Sequence, residues 1–193
     1  MKEEDLIQGI IRRDEDAFRD MVDTYRKMVV NTCFGLLHNM EDAEDVAQEV
    51  FIEIYRSIHK FKGDSKLSTW IYRIAVNKAL NYIRDTKRYS WLQSFSNRLN
   101  TENQKLYRIK ADDESNPDFD IQASQRADIL HKAIDSLPEN QKIAFILSKY
   151  EELSNKEIAE IMSRTVVSVE SLIHRAKMNL QKKLYQWHKK NYI

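Results

Sequence analysis

The chain has 193 residues, of which 42% are apolar and 32% charged, with only three glycines, two prolines and one cysteine. This length allows one domain or two small ones, and so little glycine and proline favours helices over sheets. A lone cysteine excludes a disulfide framework and a cysteine-rich metal site, while an acidic N-terminus without a long apolar run predicts a cytoplasmic protein with no signal peptide and no membrane insertion.

The net charge of +1 conceals blocks of opposite sign. Residues 1–55 and 111–138 are acidic, whereas residues 56–110 and 139–193 are basic. Two basic surfaces suit a polyanion, and a separate acidic surface suits a partner of another kind.

The first two predicted helices, residues 3–12 and 15–37, carry apolar side chains at helical spacing and are assigned to packing. Cys33 and His38 stand five residues apart, which is the wrong step for a shared helical face. With no further ligand nearby, we expect no metal site there.

The third predicted helix, residues 40–58, has an inward apolar stripe and an outward face of carboxylates. That face holds Asp45, Gln48, Glu49 and Ile52. No histidine stands at the spacing of a helical di-metal site, which argues against a catalytic role for this face. An apolar side chain among exposed acids favours docking of a basic partner over an ordinary solvated face.

The stretch from Lys60 to Arg88 combines a basic loop with a fourth helix. One side of this helix is apolar, and another carries cations and amides without a carboxylate: Arg73, Asn77, Asn81, Arg84 and Arg88. With Trp70, Tyr72 and Tyr82 close by, a face of one sign suits a polyanion whose bases can stack, which indicates nucleic acid. A solvated helix with buried aromatics is the alternative.

Residues 89–120 are polar and weakly periodic, with Pro117 among acids, and we predict a linker. A helical piece around residues 91–108 is one option. Its aromatic residues either plug a groove on a partner or pack on a neighbouring domain: Trp91, Phe95 and Tyr107. The predicted architecture is all-α, with two helical domains, 1–90 and 121–193, joined by the linker 91–120.

Helical periodicity resumes at residue 121 and continues to about residue 150, with a break at Pro138. Ser154 followed by Glu157 forms a capping box for a short helix, and Thr165 is placed to cap the next. Two helices joined by a tight turn, the second basic, are typical of a DNA-binding helix-turn-helix. An ordinary helical hairpin is the alternative.

Three blocks resemble the extracytoplasmic-function sigma factors, the two-domain group of the sigma-70 family. They are DAEDVAQEVFIEIYR, FKGDSKLSTWIYRIAVNKALNYIRDTKR and LPENQKIAFILSKYEELSNKEIAEIMSRTVVSVESLIHRAK. Their order and spacing cover nearly the whole chain outside the linker. The resemblance implies sigma region 2 and region 4 domains, and a subunit without catalysis or cofactor that directs promoter-specific transcription initiation by core RNA polymerase.

The resemblance assigns three surfaces. It implies that a docking face binds the coiled coil of the largest polymerase subunit through Asp45, Gln48, Glu49 and Ile52. It implies that a strand surface opens the −10 element and captures a flipped base through Lys62, Gly63, Asp64, Ser65, Trp70, Arg73, Asn77, Arg84 and Arg88. It implies that a duplex surface reads the −35 element in the major groove through Arg164, Thr165, Ser168, Ser171, His174, Arg175 and Lys177.

Further partners are implied by the same resemblance. The C-terminal domain would meet the polymerase flap, and the linker would thread toward the active-site and RNA-exit channels. An anti-sigma factor, often membrane-bound in this group, would cover both DNA surfaces. The acidic patch Asp112–Asp120 is expected to contribute to contacts within the free form.

Two departures from the family pattern bear on the −35 preference. Glu170 and Leu172 replace two cations of the usual G-T-V-K-S-R sequence, so we expect fewer phosphate contacts, although Glu170 can instead accept a hydrogen bond from cytosine. Ser163 stands where glycine is usual, and a positive φ at that turn would be strained.

Two other functions fit parts of the pattern. A repressor or activator that binds duplex DNA alone would not need the acidic helix around Asp45. A carboxylate metal nuclease would cleave DNA in a chelator-sensitive manner.

Overall fold

The computed structural model describes residues 3–97 and 117–191, with side chains described for residues 3–88 and, except His188, for 126–189. These ranges contain eight α-helices, one 3-10 turn at Ile58–Lys60 and no strand, which confirms the predicted all-α fold. The helices are α1 Glu3–Ile11, α2 Glu15–Leu37, α3 Met40–Ser57, α4 Leu67–Asn97, α5 Pro117–Asp135, α6 Glu139–Lys149, α7 Asn155–Met162 and α8 Val166–Asn191. None of them is long and apolar enough to cross a bilayer.

The N-terminal bundle packs α1 to α4 around one apolar core. Side-chain caps fix where its helices begin: the Asp14 carboxylate accepts hydrogen bonds from the first turn of α2, and Asn39 accepts one from Asp42 N at 3.0 Å. The inward stripe of α3 is buried as predicted, at Ala43, Val46, Ala47, Val50 and Ile54. Burying this stripe leaves the opposite side of α3 to face outward.

The C-terminal bundle packs α6, α7 and α8 together. The capping box is confirmed: Ser154 Oγ accepts from Glu157 N, and the Glu157 carboxylate accepts from Ser154 N. Thr165 Oγ1 accepts from Ser168 N at 3.2 Å, so the predicted cap of α8 is confirmed. Between α7 and α8, Ser163 has φ 52° and ψ 49°, the left-handed conformation expected at this turn.

Two helices run beyond their predicted limits. Helix α4 continues seven residues past position 90, and α5 begins at Pro117 rather than at residue 121. Proline at the first position of a helix needs no amide donor, so Pro117 starts α5 without cost. The side chains of Trp91 and Phe95, the residue Tyr107 and the side chains of the predicted acidic patch Asp112–Asp120 lie outside what is described. The domain limits therefore stay a prediction.

The two bundles pack directly against each other. On α2, Gly35 lies so close to α6 that an added Cβ would sit 2.8 Å from Ile146 Cγ2. The Lys142 ammonium of α6 donates to the main-chain carbonyl of Leu36 at 2.8 Å. Next to them the imidazole of His38 stacks on the α5 residue His131 with ring centroids 4.2 Å apart. The DNA-binding candidates of both bundles thus belong to one packed unit.

Candidate nucleic-acid interface

The docking face lies on the outward side of α3. Asp45, Gln48 and Glu49 are exposed, and Ile52 keeps 48% of its surface open. The ammonium of Lys78, on α4, lies 3.8 Å from Glu49, a pairing that the sequence analysis missed. Lys78 also lies 3.6 Å from Glu53, so two carboxylates of α3 share its ammonium. Glu49 itself remains exposed.

A groove of about 810 Å³ opens beside Ile52, between the start of α2 and the end of α3. Phe18, Val22 and Tyr55 form its apolar floor, and arginines stand along its rim. The guanidinium of Arg13 lies 5.0 Å from the centre of the Tyr55 ring. The docking face therefore adjoins an apolar depression, whereas an ordinary solvated helix would offer polar neighbours alone.

The loop before α4 presents the first part of the strand surface. Lys62, Gly63 and Asp64 are exposed, and Ser65 is half-buried. Gly63 has φ +76°, and an added Cβ would have no atom within 4 Å. Glycine is therefore favoured at this position by the backbone conformation and not by a steric clash. Half-buried Trp70 packs on Phe61, with ring centroids 5.5 Å apart.

The remaining strand-surface residues share one side of α4, as the spacing predicts. Asn77 and Arg88 are exposed, but two cations are engaged by the C-terminal bundle. Half-buried Arg73 donates to the main-chain carbonyl of Glu160, and Arg84 donates to both carboxylate oxygens of Glu139 at 3.0 and 3.1 Å. This arrangement joins the strand surface to the second domain instead of leaving it open.

Two contacts beside the strand surface were not predicted from the sequence. The Lys66 ammonium lies 3.3 Å from a Glu157 carboxylate oxygen, and the Tyr72 hydroxyl donates to Glu151 Oε2 at 3.0 Å. Burial, followed by the neighbouring Glu151 carboxylate, raises the pKa of Tyr72, and burial raises the pKa of Glu151. No sequence pattern signals these contacts, because each partner lies far along the chain.

The duplex surface lies on α8 and the turn before it. Its side chains are exposed at Arg164, Thr165, Ser171, His174, Arg175 and Lys177, and half-buried at Ser168. Val167 is 71% exposed in the first turn of α8, a large apolar side chain that the sequence analysis did not list. A reading helix presents its N-terminal residues to base edges, where an apolar side chain suits the thymine methyl group.

The two departures from the family pattern occupy different environments. Glu170 is exposed and accepts a hydrogen bond of 3.4 Å from Asn155 at the start of α7. Leu172 is half-buried and packs against the apolar core. Glu170 is therefore open to solvent, whereas Leu172 serves packing.

Metal-ligating side chains do not converge in the part of the chain described. There, no group of three or more His, Cys, Asp or Glu residues is placed to hold a metal ion.

Comparisons with known proteins agree with this geometry. Sigma-70 region 2 matches residues 21–89, and Sigma-70 region 4 matches residues 127–180. The ECF RNA polymerase sigma factor SigW of Bacillus subtilis is 34% identical over 92% of this chain and 94% of its own length. The ECF RNA polymerase sigma-E factor of Haemophilus influenzae is 35% identical over 93% of each chain.

Two solved structures share the fold. CnrH, in complex with the cytosolic domain of CnrY, has a TM-score of 0.64 and 19% identity over 94% of this chain and 96% of its own. The sigma factor RpoE of Bartonella quintana, in complex with the anti-sigma factor NepR, has a TM-score of 0.59 and 20% identity over 87% and 96%. The two matched regions, with SigW and the sigma-E factor of Haemophilus influenzae, establish that the chain belongs to the extracytoplasmic-function group of the sigma-70 family, and that it is a non-catalytic initiation subunit which directs RNA polymerase to promoters.

Proposed function

We propose that the three surfaces divide the work of initiation, with the docking face holding core RNA polymerase and the two basic surfaces holding promoter DNA. The observation that carries this proposal is the orientation of α3: Asp45, Gln48, Glu49 and Ile52 all face outward while the opposite side forms core. An exposed apolar side chain amid carboxylates supplies the anchor that a protein interface needs. The coiled coil of the largest polymerase subunit is the proposed partner.

The strand surface is proposed to open the −10 element. Unpairing and flipping a base costs a few kcal/mol, and a cationic path with an aromatic side chain can offset that cost. Trp70 offers its ring, Arg73 its guanidinium and Asn77 its amide along one side of α4. The loop Lys62–Ser65, exposed at its first three residues, precedes α4 and borders this path.

The duplex surface is proposed to read the −35 element. The N-terminal turns of α8 would enter the major groove, with Ser171 and Arg175 toward base edges and Lys177 toward phosphate. A good bidentate contact to a base discriminates by about 1–3 kcal/mol, whereas a phosphate contact positions the protein without selecting sequence. The exposure of this side of α8 supports the assignment.

An anti-sigma factor and a cytoplasmic location complete the proposal. CnrH and RpoE, which share this fold, were solved with the cytosolic domain of CnrY and with the anti-sigma factor NepR. We propose a partner of the same class here, together with a contact between the C-terminal domain and the polymerase flap.

Reconstitution with core polymerase tests the docking face. We expect the chain to direct transcripts from its cognate promoters and the variant Asp45→Lys/Glu49→Lys to lose polymerase binding without loss of helicity. Asp23→Lys, a charge reversal at an exposed site on α2, is the control. Unchanged polymerase binding by the double variant, or sequence-specific DNA binding that needs no polymerase, would contradict the proposal.

A further inference from the structure

The helix that carries the duplex surface continues past it with a charge of one sign. Residues 171–193 contain no carboxylate side chain, and their cations are Arg175, Lys177, Lys182, Lys183, Lys189 and Lys190. The match to Sigma-70 region 4 ends at residue 180, whereas α8 runs to Asn191. The family match therefore does not account for the end of this helix.

One exposed face of this end continues the duplex surface. From Ser171 and Arg175, steps of three and four residues lead along α8 to four further exposed side chains, here called the outer stripe: Met178, Lys182, Tyr185 and Lys189. The opposite side of the helix is packed into the core, with Val169, Ile173, Ala176 and Leu180 buried. The outer stripe thus faces the same way as the residues proposed to read the −35 element.

Helix electrostatics do not explain the lysines of the outer stripe. The partial negative charge at the C-terminal end of a helix stabilises cations, but this effect fades within the last turn, and Lys182 lies more than two turns before Asn191. Half-buried Lys183 is different, because its ammonium lies 5.8 Å from the centre of the Trp187 ring. In the part of the chain that is described, the ion pairs use cations other than Lys182 and Lys189. These two lysines are therefore available to an external anion.

The start of α8 is short of the cations that phosphate contacts need. Glu170 and Leu172 stand where two cations are usual, and Glu170 adds a negative charge to the exposed surface. Phosphate contacts fix the register of a protein on duplex DNA without reading its sequence. The outer stripe offers two ammonium groups and the hydroxyl of Tyr185, which is 68% exposed, and both kinds of group bind phosphate oxygens.

The length of the helix decides where these groups would meet DNA. At about 1.5 Å per residue, Lys182 stands about 16 Å and Lys189 about 27 Å beyond Ser171 along the helix axis. The major groove is about 12 Å wide. A helix seated in the groove by Ser171 therefore carries the outer stripe past the base edges to the bordering phosphates, as the C-terminal ends of some recognition helices are known to do.

We propose that the outer stripe of α8 is a phosphate-binding surface that holds promoter DNA beside the −35 element, with Lys182 and Lys189 as positioning residues and the Tyr185 hydroxyl as a third contact. It supplies the grip that Glu170 and Leu172 do not. This inference rests on the proposed role of the duplex surface. Sequence reading stays with the first turns of α8.

Holoenzyme reconstituted with full-length variants tests the outer stripe. Lys182→Gln/Lys189→Gln removes both charges, and Lys182→Arg/Lys189→Arg keeps them. Lys132→Gln/Lys149→Gln, which removes two exposed lysines from α5 and α6, is the matched control. The dissociation constant is measured at several salt concentrations on a promoter fragment and on the same fragment with a scrambled −35 element. A hydroxyl-radical footprint then locates the backbone contacts.

The expected result is a loss of affinity that does not depend on sequence. Each phosphate contact contributes about 0.9 to the slope of the salt dependence on duplex DNA. We expect the glutamine variant to lower this slope by about two units and to weaken binding about tenfold at 0.1 M salt, equally on both fragments. Backbone protection beside the −35 element should disappear as well. The arginine variant and the control should keep the wild-type slope.

Three results would overturn the inference. They are an unchanged slope in the glutamine variant, an equal fall in the control, and a loss confined to the fragment with the intact −35 element, which would assign the lysines to base reading. Ser171→Ala/Arg175→Ala tests the proposed function separately. If this variant keeps the −35 preference, the duplex surface is wrong; if it loses that preference while the glutamine variant keeps the wild-type slope, only the role of the outer stripe is wrong.

Discussion

The guanidinium of Arg73 donates hydrogen bonds of 2.6 and 3.2 Å to the main-chain carbonyl of Glu160, which joins α4 to α7. Because the acceptor belongs to the main chain, the side chain of Glu160 is not needed for the contact. We expect Arg73→Ala to lengthen the distance between the bundles in the free chain and Glu160→Ala to leave it unchanged. Energy transfer between dyes on the two bundles measures both, and an equal response to the two variants would contradict the geometry.

The turn between α7 and α8 gives a prediction about stability. Ser163 adopts φ 52°, where a side chain is strained by about 1–2 kcal/mol relative to glycine. Part of the gain from glycine is lost to the greater freedom of the unfolded chain. We expect Ser163→Gly to raise the free energy of unfolding by about 0.5–1 kcal/mol.

Urea unfolding followed by circular dichroism measures this change. Ser163→Ala is the control, since alanine keeps the Cβ and should bring no gain. A glycine variant no more stable than the wild type would show that the turn carries no strain.

The histidine stack makes the packing of the bundles sensitive to pH. Burial lowers the pKa of His131, and the neighbouring His38 adds to the effect. Asp135 and Asp128 oppose the shift, and Lys142 reinforces it. Because the pKa of His131 is lower in the packed chain than in the open one, protonation of its imidazole favours the open chain. Neutral His131 stabilises the packed chain fully above the ordinary pKa of 6.5, and this stabilisation is lost as the pH falls below that value.

We therefore expect the bundles to separate further when the pH falls from about 7.5 to about 5.5. His131→Phe keeps an aromatic ring but cannot titrate, so its response should be smaller. Burial alone would raise the pKa of the Asp135 carboxyl, but His38 and Lys142 outweigh burial and lower this pKa to about 2. The carboxyl therefore stays ionised throughout this pH window and does not account for a change within it. An identical response from His131→Phe would exclude this imidazole as the source.

The exposed carboxylate of Glu170 gives a prediction about −35 recognition. Replacing it by lysine removes a charge that repels phosphate and restores a cation. We expect Glu170→Lys to tighten binding of holoenzyme to duplex DNA generally, to steepen the salt dependence by about one unit of slope and to reduce sequence preference. Glu170→Gln separates removal of the negative charge from addition of a positive one. Titrations at several salt concentrations on matched and mismatched −35 sites provide the measurement.

The sequence predicted the features that depend on local signals. The helices follow from periodicity, the capping box from Ser154 and Glu157, and the outward carboxylates of α3 from the burial of its other side. The contact of Arg73 could not be predicted in this way, because its acceptor is a main-chain carbonyl 87 residues away. Lys142 carries no signal either, since a lysine in an amphipathic helix is expected to face solvent.

Chemical probing of unpaired thymines, combined with a footprint on one promoter bound by reconstituted holoenzyme, tests the division of labour most directly. We expect Asp45→Lys/Glu49→Lys to lose both signals, because no holoenzyme forms. Arg73→Ala/Asn77→Ala should lose thymine reactivity at the −10 element while keeping protection at the −35 element. Full thymine reactivity with Arg73→Ala/Asn77→Ala, or protection of the promoter with Asp45→Lys/Glu49→Lys, would contradict the account.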